Sequence, residues 1–268
     1  MPLVPEPSIF SADEANAIDQ FLKTGYIIFP VEDLDSLAKI RRSLYENAVK
    51  ALELDSPPPE SGFFDNAQKF IPPDRLNMIR LGLIDQLNKN SDNAALFYSL
   101  AKKHLGWIVG NEMAIQRSYN LGIQLPQDGS AILPLHSDVW SGCSAYEVVL
   151  WIPMVDVSKT KSMFILPKKT NEIYYKKFNK YKDTTSLQKA IDKKVKWLNI
   201  KFGQGLIFAH HLMHGNKVNI TNETRWSFNC RFKSLMSPYD KKDIAETFFP
   251  LIVRPATRVG LEYEHPQI

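Results

Sequence analysis

The sequence has little cysteine and no long apolar run. Its 268 residues include two cysteines, Cys143 and Cys230, which are too few for a disulfide framework or a four-thiolate zinc site. We therefore expect a reducing compartment, the cytoplasm. No stretch approaches the roughly 18 consecutive apolar residues that a membrane helix requires. Residues 1–16 lack the basic region and apolar run of a secretory signal, so neither membrane insertion nor secretion is expected.

Net charge is also low, but it is unevenly distributed. Lysine and arginine total 33 against 29 aspartates and glutamates, and the resulting +4 is too small to indicate nucleic-acid binding. Residues 159–201 alone carry 13 lysines, no arginine and three acids, which makes this segment +10 and the remainder −6. Two interpretations are open: an exposed insertion of solvated lysines, or a mobile lid that attracts a phosphate-bearing substrate such as a nucleotide-linked sugar.

Helical periodicity is concentrated in the first part of the chain. Apolar residues recur every three or four positions over 12–23, where Ser11 can cap the helix N-terminus and Gly25 can end it. A second amphipathic helix is predicted over 33–54 and another over 92–106. Together they predict a helical N-terminal part.

Strand-like apolar runs, punctuated by Gly, Pro, Asn and Asp, dominate the later part, and one of them predicts a strand over 198–202. Residues 183–197 can form a short helix inserted between strands, with its lysines outward. Helices followed by strands predict an α+β fold in which the helical part packs on an antiparallel sheet or barrel. We expect a single domain over 1–268, with these parts: a mainly helical flank at 1–106, a β core at 107–235 containing a lysine-rich insertion at about 168–197, and a C-terminal extension at 236–268.

Three residues form a candidate metal site. His136 and Asp138 are two residues apart, so on a strand end their side chains point to the same face. A distant His214 follows a glycine-bounded apolar run and can complete the set. Two imidazoles and one carboxylate on one face of a divalent ion leave the opposite positions open, an arrangement that suits Fe(II) with a co-substrate and O2.

A candidate carboxylate-binding pair lies further along the chain. Arg225 is eleven residues after His214, and Ser227 is two residues later on the same predicted strand face. The guanidinium offers a rigid fork to a carboxylate, and the hydroxyl adds a second contact. This is what the far end of a dicarboxylate co-substrate that chelates the metal would need.

These motifs together resemble the Fe(II)/2-oxoglutarate-dependent oxygenases, in particular the phytanoyl-CoA hydroxylase and ectoine hydroxylase branch. The matching pieces are HSD at 136–138, GLIF at 205–208, HGN at 214–216 and RWS at 225–227. The resemblance implies a double-stranded β-helix (jelly-roll, cupin-like) core with N-terminal helices packed on it. It also implies Fe(II), 2-oxoglutarate and O2, with hydroxylation of a small polar substrate, or its further oxidation to a carbonyl, giving succinate and CO2.

A narrower resemblance concerns the substrate. The stretches ETRWSFNCRFKSL and PLIVRPATRVGLEY are similar to oxygenases encoded in bacterial surface-carbohydrate gene clusters, which implies a sugar or nucleotide-linked sugar. The chain departs from the family at 167–170, where PKKT replaces the usual Pro-Gly-Ser-His. This departure bears on the substrate and leaves the metal motif intact.

Further residues are candidates for contacts around the metal. Co-substrate contacts are expected from amide side chains, and substrate contacts from an aromatic residue after the metal motif and from two arginines. The co-substrate candidates are Asn216, Gln124 and Asn120, and the substrate candidates are Trp140, Arg80 and Arg117.

Alternatives remain at two levels. His211 competes with His214 for the metal, His210 is expected to be structural, and a buried structural ion pair is expected for Arg231. At the level of function, a cupin-type metal-dependent sugar isomerase or epimerase would share the barrel but would not need Arg225 at that spacing. A non-catalytic barrel that serves as a binding module would not need the intact metal motif.

Overall fold

The N-terminal third of the chain is helical, as the periodicity predicts. The computed structural model describes residues 9–244 and 246–266, so the first eight residues that were considered for a secretory signal lie outside the description. The helices are α1 (Ala12–Thr24), α2 (Leu34–Ala51), α3 (Glu60–Phe63), α4 (Leu76–Lys89), α5 (Asn93–Ser99), α6 (Lys102–Ile108), α7 (Lys168–Lys176), α8 (Thr184–Ile191) and α9 (Pro255–Glu262). The helix predicted over 92–106 is therefore two shorter helices.

Local capping signals set the ends of the first two helices. The Ser11 hydroxyl accepts a hydrogen bond from the Glu14 amide at 3.2 Å, and the Asp33 carboxylate caps α2. Gly25 ends α1 with a φ of +81°, a left-handed conformation that glycine adopts without steric cost. A Cβ at Gly25 would lie 2.6 Å from the Leu212 side chain, so this close turn also requires glycine.

Over residues 9–244 and 246–266, ten strands form two antiparallel sheets. They are β1 (Tyr26–Pro30), β2 (Met113–Gln116), β3 (Asn120–Gln124), β4 (Glu147–Pro153), β5 (Phe164–Ile165), β6 (Lys196–Trp197), β7 (Gln204–Ala209), β8 (His214–Gly215), β9 (Arg225–Ser234) and β10 (Phe248–Ile252). The larger sheet runs β1-β7-β4-β9-β2-β10, and β3 pairs with β9 off this path. The smaller sheet runs β6-β5-β8. The order does not follow the chain, as expected for a double-stranded β-helix.

The two sheets enclose the predicted metal residues. His136 forms an isolated antiparallel bridge with His214 of β8, which adds a further chain segment to the small sheet. In the large sheet, β9 is central and pairs with β4, β2 and β3. Its inward-facing side chains therefore face the small sheet across the interior. The N-terminal helices cover the large sheet through a continuous apolar core that includes Leu37, Phe97 and Trp226.

The lysine-rich segment folds as helices α7 and α8 between β5 and β6. The predicted short helix within 183–197 is α8, which starts with an Asp183 capping box and buries Leu187 and Ile191. These side chains pack with Phe164 and other apolar residues of the small sheet. Helix α7 was not predicted, because its lysine-rich sequence has a low apolar content.

The strand prediction over 198–202 is replaced by an irregular segment with one isolated bridge, Val157 to Ile200. At the other end of the chain, β10 pairs with β2, so part of the 236–268 segment extends the large sheet. Within the described ranges, no helix is both long and apolar enough to cross a membrane.

Candidate metal and co-substrate site

A cavity of about 600 Å³ opens between the two sheets. His136, Asp138 and His214 line it together with Arg225 and residues of β3, β4, β7 and α4. This volume is typical of a site for a small molecule.

The predicted metal ligands converge in this cavity. One ligand atom from each of His136, Asp138 and His214 lies within 4.8 Å of the others. The two histidines are brought together by their backbones, because the His136 amide donates to the His214 carbonyl at 3.0 Å and the His214 amide donates to the His136 carbonyl at 2.9 Å. Asp138 begins a short 3-10 turn directly after them.

Both imidazoles are oriented for metal binding. The Nδ1 atom of His136 lies 2.8 Å from the Pro134 carbonyl oxygen, and Nδ1 of His214 lies 2.9 Å from the Leu212 carbonyl oxygen. A carbonyl can only accept, so each Nδ1 carries the proton and each Nε2 keeps a free lone pair. Burial lowers the pKa of His214 to about 4, which keeps this ring neutral at physiological pH. The donor set therefore fits a divalent transition metal.

Arg231 fixes the carboxylate of the set. Its guanidinium donates to Oδ1 of Asp138 at 3.0 Å and to Oε1 of Gln116 at 3.1 Å. Burial raises the pKa of Asp138, but His214, His210 and Arg231 outweigh burial and lower it to about 2. Because Oδ1 is held in this way, Oδ2 is the oxygen that remains for a metal.

Arg225 differs from Arg231 because no carboxylate in the described part of the chain forms an ion pair with it. Its side chain is buried, its NH1 group donates to the Ser162 carbonyl oxygen at 3.3 Å, and its Nε atom has no hydrogen-bond partner among the described residues. Burial lowers the pKa of Arg225 to about 10, so the guanidinium is still charged at neutral pH. A buried cation without a counter-ion is unfavourable and indicates that an anion binds beside it.

Gly122 leaves space for such an anion. It pairs with Ser227 in the β3–β9 register. A Cβ at this position would lie 3.3 Å from the Ser227 hydroxyl and 3.8 Å from NH2 of Arg225. A side chain on β3 would therefore enter the space in front of the guanidinium.

A second group of possible metal ligands lies next to Asp138. Cys143, Glu147 and His210 are all buried and place one ligand atom each within 4.8 Å of the others. The Lys242 ammonium, however, lies 3.0 Å from the Cys143 sulfur. Burial raises the pKa of the Glu147 carboxyl, and the positive charges of Arg231, Lys242 and Lys233 lower it. This surrounding positive charge would repel a divalent ion.

His210 connects that group to the metal site. Its Nδ1 lies 3.2 Å from Oε2 of Glu147, and its Nε2 lies 3.8 Å from Oδ2 of Asp138. Burial lowers the pKa of His210 to about 3, so the ring is neutral. The arrangement supports a structural role for His210, as the sequence predicted.

Three of the other residues predicted to contact co-substrate or substrate line the cavity: Asn120, Asn216 and Arg80. Asn216 already uses both ends of its amide, because Oδ1 accepts from the Leu133 amide at 2.6 Å and Nδ2 donates to the Ala131 carbonyl at 3.3 Å. Its observed contacts hold the loop at the cavity rim and do not leave the amide free for a co-substrate.

Gln124, Trp140 and Arg117 do not line the cavity, which corrects the contacts predicted for them. The Gln124 side chain is fully buried and donates to the Lys217 carbonyl at 2.5 Å. Trp140 packs against Phe178, with ring centroids 5.1 Å apart. The Arg117 guanidinium lies over the Phe249 ring, 5.6 Å from its centroid.

The lysine-rich segment also lies away from the cavity. Of residues 159–201, the described lining includes only Met163 and no lysine. This placement favours the interpretation as an exposed, lysine-bearing insertion over that as a substrate lid. His211 likewise lies outside the metal group, which leaves His214 as the histidine that meets His136.

The sequence interpretation missed Asn229, which the alternation of β9 could have revealed. It lies between the predicted residues Arg225 and Ser227 on one side and Arg231 on the other; the four are spaced two apart, and all of them line the cavity. Asn77 of α4 also lines it, but no local signal in the sequence places this helix there.

Comparisons with known proteins support the fold. No family model matches the sequence, and no curated protein matches it significantly. EctD from S. alaskensis, in its structure with 2-oxoglutarate and 5-hydroxyectoine, is similar with a TM-score of 0.52 and 16% identity, over 88% of this chain and 80% of that chain. The EctD structure with bound Fe gives a TM-score of 0.50 at 18% identity, over 89% and 82%.

AviO1 from Streptomyces viridochromogenes Tue57 gives a TM-score of 0.50 at 15% identity, over 86% of this chain and 99% of that chain. Identities this low show a shared fold and do not by themselves assign a reaction. The predicted fold class is confirmed: the chain has an α+β fold with a double-stranded β-helix core and N-terminal helices packed on it.

Proposed function

We propose that the protein is an Fe(II)- and 2-oxoglutarate-dependent dioxygenase. The observation that carries the proposal is Arg225, a buried guanidinium that shares a cavity with a His-Asp-His group and has no counter-ion among the residues that the structure describes. A metal-dependent isomerase or a simple binding barrel gives no reason to bury this charge. A dicarboxylate co-substrate does, because one end can chelate the metal while the other neutralises the guanidinium.

Each residue of the site has a defined task in this proposal. His136 and His214 present Nε2 to Fe(II), and Asp138 presents Oδ2 because Arg231 holds its other oxygen. Arg225 and Ser227 bind the far carboxylate of 2-oxoglutarate. Iron bound there supplies the oxidising chemistry, in which 2-oxoglutarate and O2 give succinate and CO2 and a substrate C–H bond is oxidised.

The apolar walls of the cavity exclude water from this reaction. Val149, Trp151 and Phe208 line the cavity from β4 and β7 of the large sheet. Water exclusion strengthens the charge-assisted hydrogen bonds to the co-substrate. It also limits side reactions of the activated site with solvent.

The proposed substrate is a small polar molecule, a sugar or nucleotide-linked sugar used in surface polysaccharide synthesis in the cytoplasm. The product is an alcohol, or a carbonyl after further oxidation. Support comes from the similarity of residues 223–235 and 250–263 to carbohydrate-cluster oxygenases of the phytanoyl-CoA and ectoine hydroxylase branch. The cavity of about 600 Å³ is large enough for such a substrate beside 2-oxoglutarate.

An anaerobic titration tests the oxygenase proposal. Adding Fe(II) and then 2-oxoglutarate to the wild-type protein should produce the weak visible metal-to-ligand band of a chelated complex. His214→Gln should abolish the band. His211→Gln is the matched control and should retain it, because His211 lies outside the metal group. No band, and no succinate in air during a screen of sugars and nucleotide sugars, would refute the proposal.

A further inference from the structure

We propose that the substrate of this site is anionic and that Arg80, at the rim of the cavity, binds its carboxylate or phosphate group. This inference rests on the proposed oxygenase function and names the chemical class of the molecule it oxidises. It is carried by the charges that line the cavity and by the hydrogen bonds that Arg80 leaves unused.

The cavity has an excess of fixed positive charge. Three arginines line it, Arg80, Arg225 and Arg231, and Asp138 is the sole acidic residue among the described lining residues. Arg231 is paired with Asp138 at 3.0 Å. Arg225 is deeply buried beside Ser227 and Gly122, where the co-substrate carboxylate would bind. After these two assignments, Arg80 is the cation that has no anionic partner.

Arg80 is held in place but is not neutralised. Its NH2 group donates to Oδ1 of Asn77 at 2.7 Å, one turn earlier on α4. No aspartate or glutamate in the described ranges lies within 4.0 Å of it, and its Nε and NH1 groups make no hydrogen bond there. Helix α4 is itself anchored, since Ile79 and Leu83 are buried in the core. The guanidinium fork is therefore oriented and has N–H groups free for an anion.

The remaining polar groups of the lining suit an oxygen-rich ligand. The Asn120 amide donates to Oδ1 of Asn229 at 3.1 Å, so the Asn229 carbonyl is occupied while its own NH2 group makes no hydrogen bond among the described residues. Asn229 thus adds a neutral donor to the cationic donor of Arg80. A cationic substrate would meet repulsion from Arg80, whereas a carboxylate or phosphate would form charge-assisted hydrogen bonds.

Small anions can test this site without knowledge of the full substrate. The probes are acetate and methyl phosphate, titrated by calorimetry into the anaerobic Fe(II) protein saturated with 2-oxoglutarate; acetamide is the neutral control. We expect saturable binding of at least one anion, no binding of acetamide, and weaker binding at higher salt. Arg80→Gln should weaken anion binding by about tenfold or more. Arg75→Gln, at the residue directly before the same helix, is the matched control and should not change anion binding, because Arg75 does not line the cavity.

The result can be separated from the fate of the oxygenase proposal. The Arg225→Gln substitution removes the deep anion site. Repeating the anion titration in this variant, with and without Arg80→Gln, measures the effect of Arg80 in the absence of bound co-substrate. Preference for acetate or methyl phosphate then distinguishes a carboxylate from a phosphate. If neither anion binds the wild-type protein saturably, or if Arg80→Gln binds both as well as wild type does, the inference is wrong. Failure of the 2-oxoglutarate band alone would refute the function and not this anion site.

Discussion

Replacing Arg225 by methionine should separate the function of this residue from the stability of the fold. The fall in the Arg225 pKa to about 10 on burial corresponds to roughly 3 kcal/mol of unfavourable desolvation. Methionine has a similar length and removes the charge. It also removes the hydrogen bond to the Ser162 carbonyl, and the loss of this bond costs about 1–3 kcal/mol, which offsets part or all of the gain from removing the buried charge. We therefore expect the metal-free variant to be as stable as wild type or more stable by up to about 2 kcal/mol.

The same substitution should greatly weaken co-substrate binding. Truncating one partner of a buried, hydrogen-bonded charge pair costs about 2 kcal/mol or more, which is at least about 30-fold in affinity. The assay is urea unfolding of the metal-free protein, combined with anaerobic titration of 2-oxoglutarate into the Fe(II) protein. Excess 2-oxoglutarate should raise the melting temperature of wild type and not that of Arg225→Met.

Arg231→Met is the matched comparison, because this arginine lies on the same face of the same strand and is paired. Its loss leaves the buried Asp138 carboxylate without its hydrogen-bonded counter-ion. We expect a loss of about 3 kcal/mol in unfolding free energy and weaker metal binding. The reasoning about Arg225 would be refuted by a loss of more than about 2 kcal/mol in Arg225→Met, or by an unchanged 2-oxoglutarate affinity.

Three further predictions concern the same site. Gly122→Ala should lower 2-oxoglutarate affinity about tenfold at unchanged Fe(II) affinity, because its Cβ would lie 3.3 Å from the Ser227 hydroxyl; equal loss of both in titrations would contradict this. Asp138→Asn should weaken Fe(II) binding more than about 100-fold by equilibrium dialysis, and retained binding would exclude Asp138 as a ligand. The pKa values of His210 and His214 fall to about 3 and 4 in the folded metal-free protein, so below pH 6.5 the unfolded chain binds protons that the folded chain does not. The unfolding free energy should therefore decrease as pH falls from 6.5 to 5, by about 1.6 kcal/mol in total for each histidine, and His210→Gln should remove one such contribution in urea titrations.

Local sequence signals predicted the helix ends that are formed by residues close together in the chain. Ser11 and Gly25 end α1 as expected, because a cap is made within one turn of the helix. Asp183 likewise begins α8. Helix α7 was missed because its few apolar side chains pack against the small sheet, and this contact is tertiary. The strand predicted over 198–202 failed because its backbone pairs at only one position.

The site was predictable where spacing along the chain restricts geometry. His136 and Asp138 were expected to converge because they are two residues apart, and the spacing between His214 and Arg225 indicated two neighbouring strands. The sequence favoured His214 over His211 by its spacing to Arg225, but it left His211 as a competitor, since the choice depends on the backbone bridge to His136. Nor could it show that Arg80 faces the cavity while Arg117 does not, because both placements depend on how distant elements pack.

The different roles of Arg225 and Arg231 follow from strand geometry and from what each residue faces. Both point inward because they are six residues apart on β9, and an even separation keeps side chains on one face. Arg231 faces the turn that carries Asp138, so its charge is neutralised within the protein. Arg225 pairs with Gln124 in the β3–β9 register, but its guanidinium extends to Gly122, the partner of Ser227, where an added Cβ would lie 3.8 Å from NH2. An inward arginine whose guanidinium lies beside a glycine therefore indicates a binding site for an external anion, and an inward arginine opposite a carboxylate indicates support for that carboxylate.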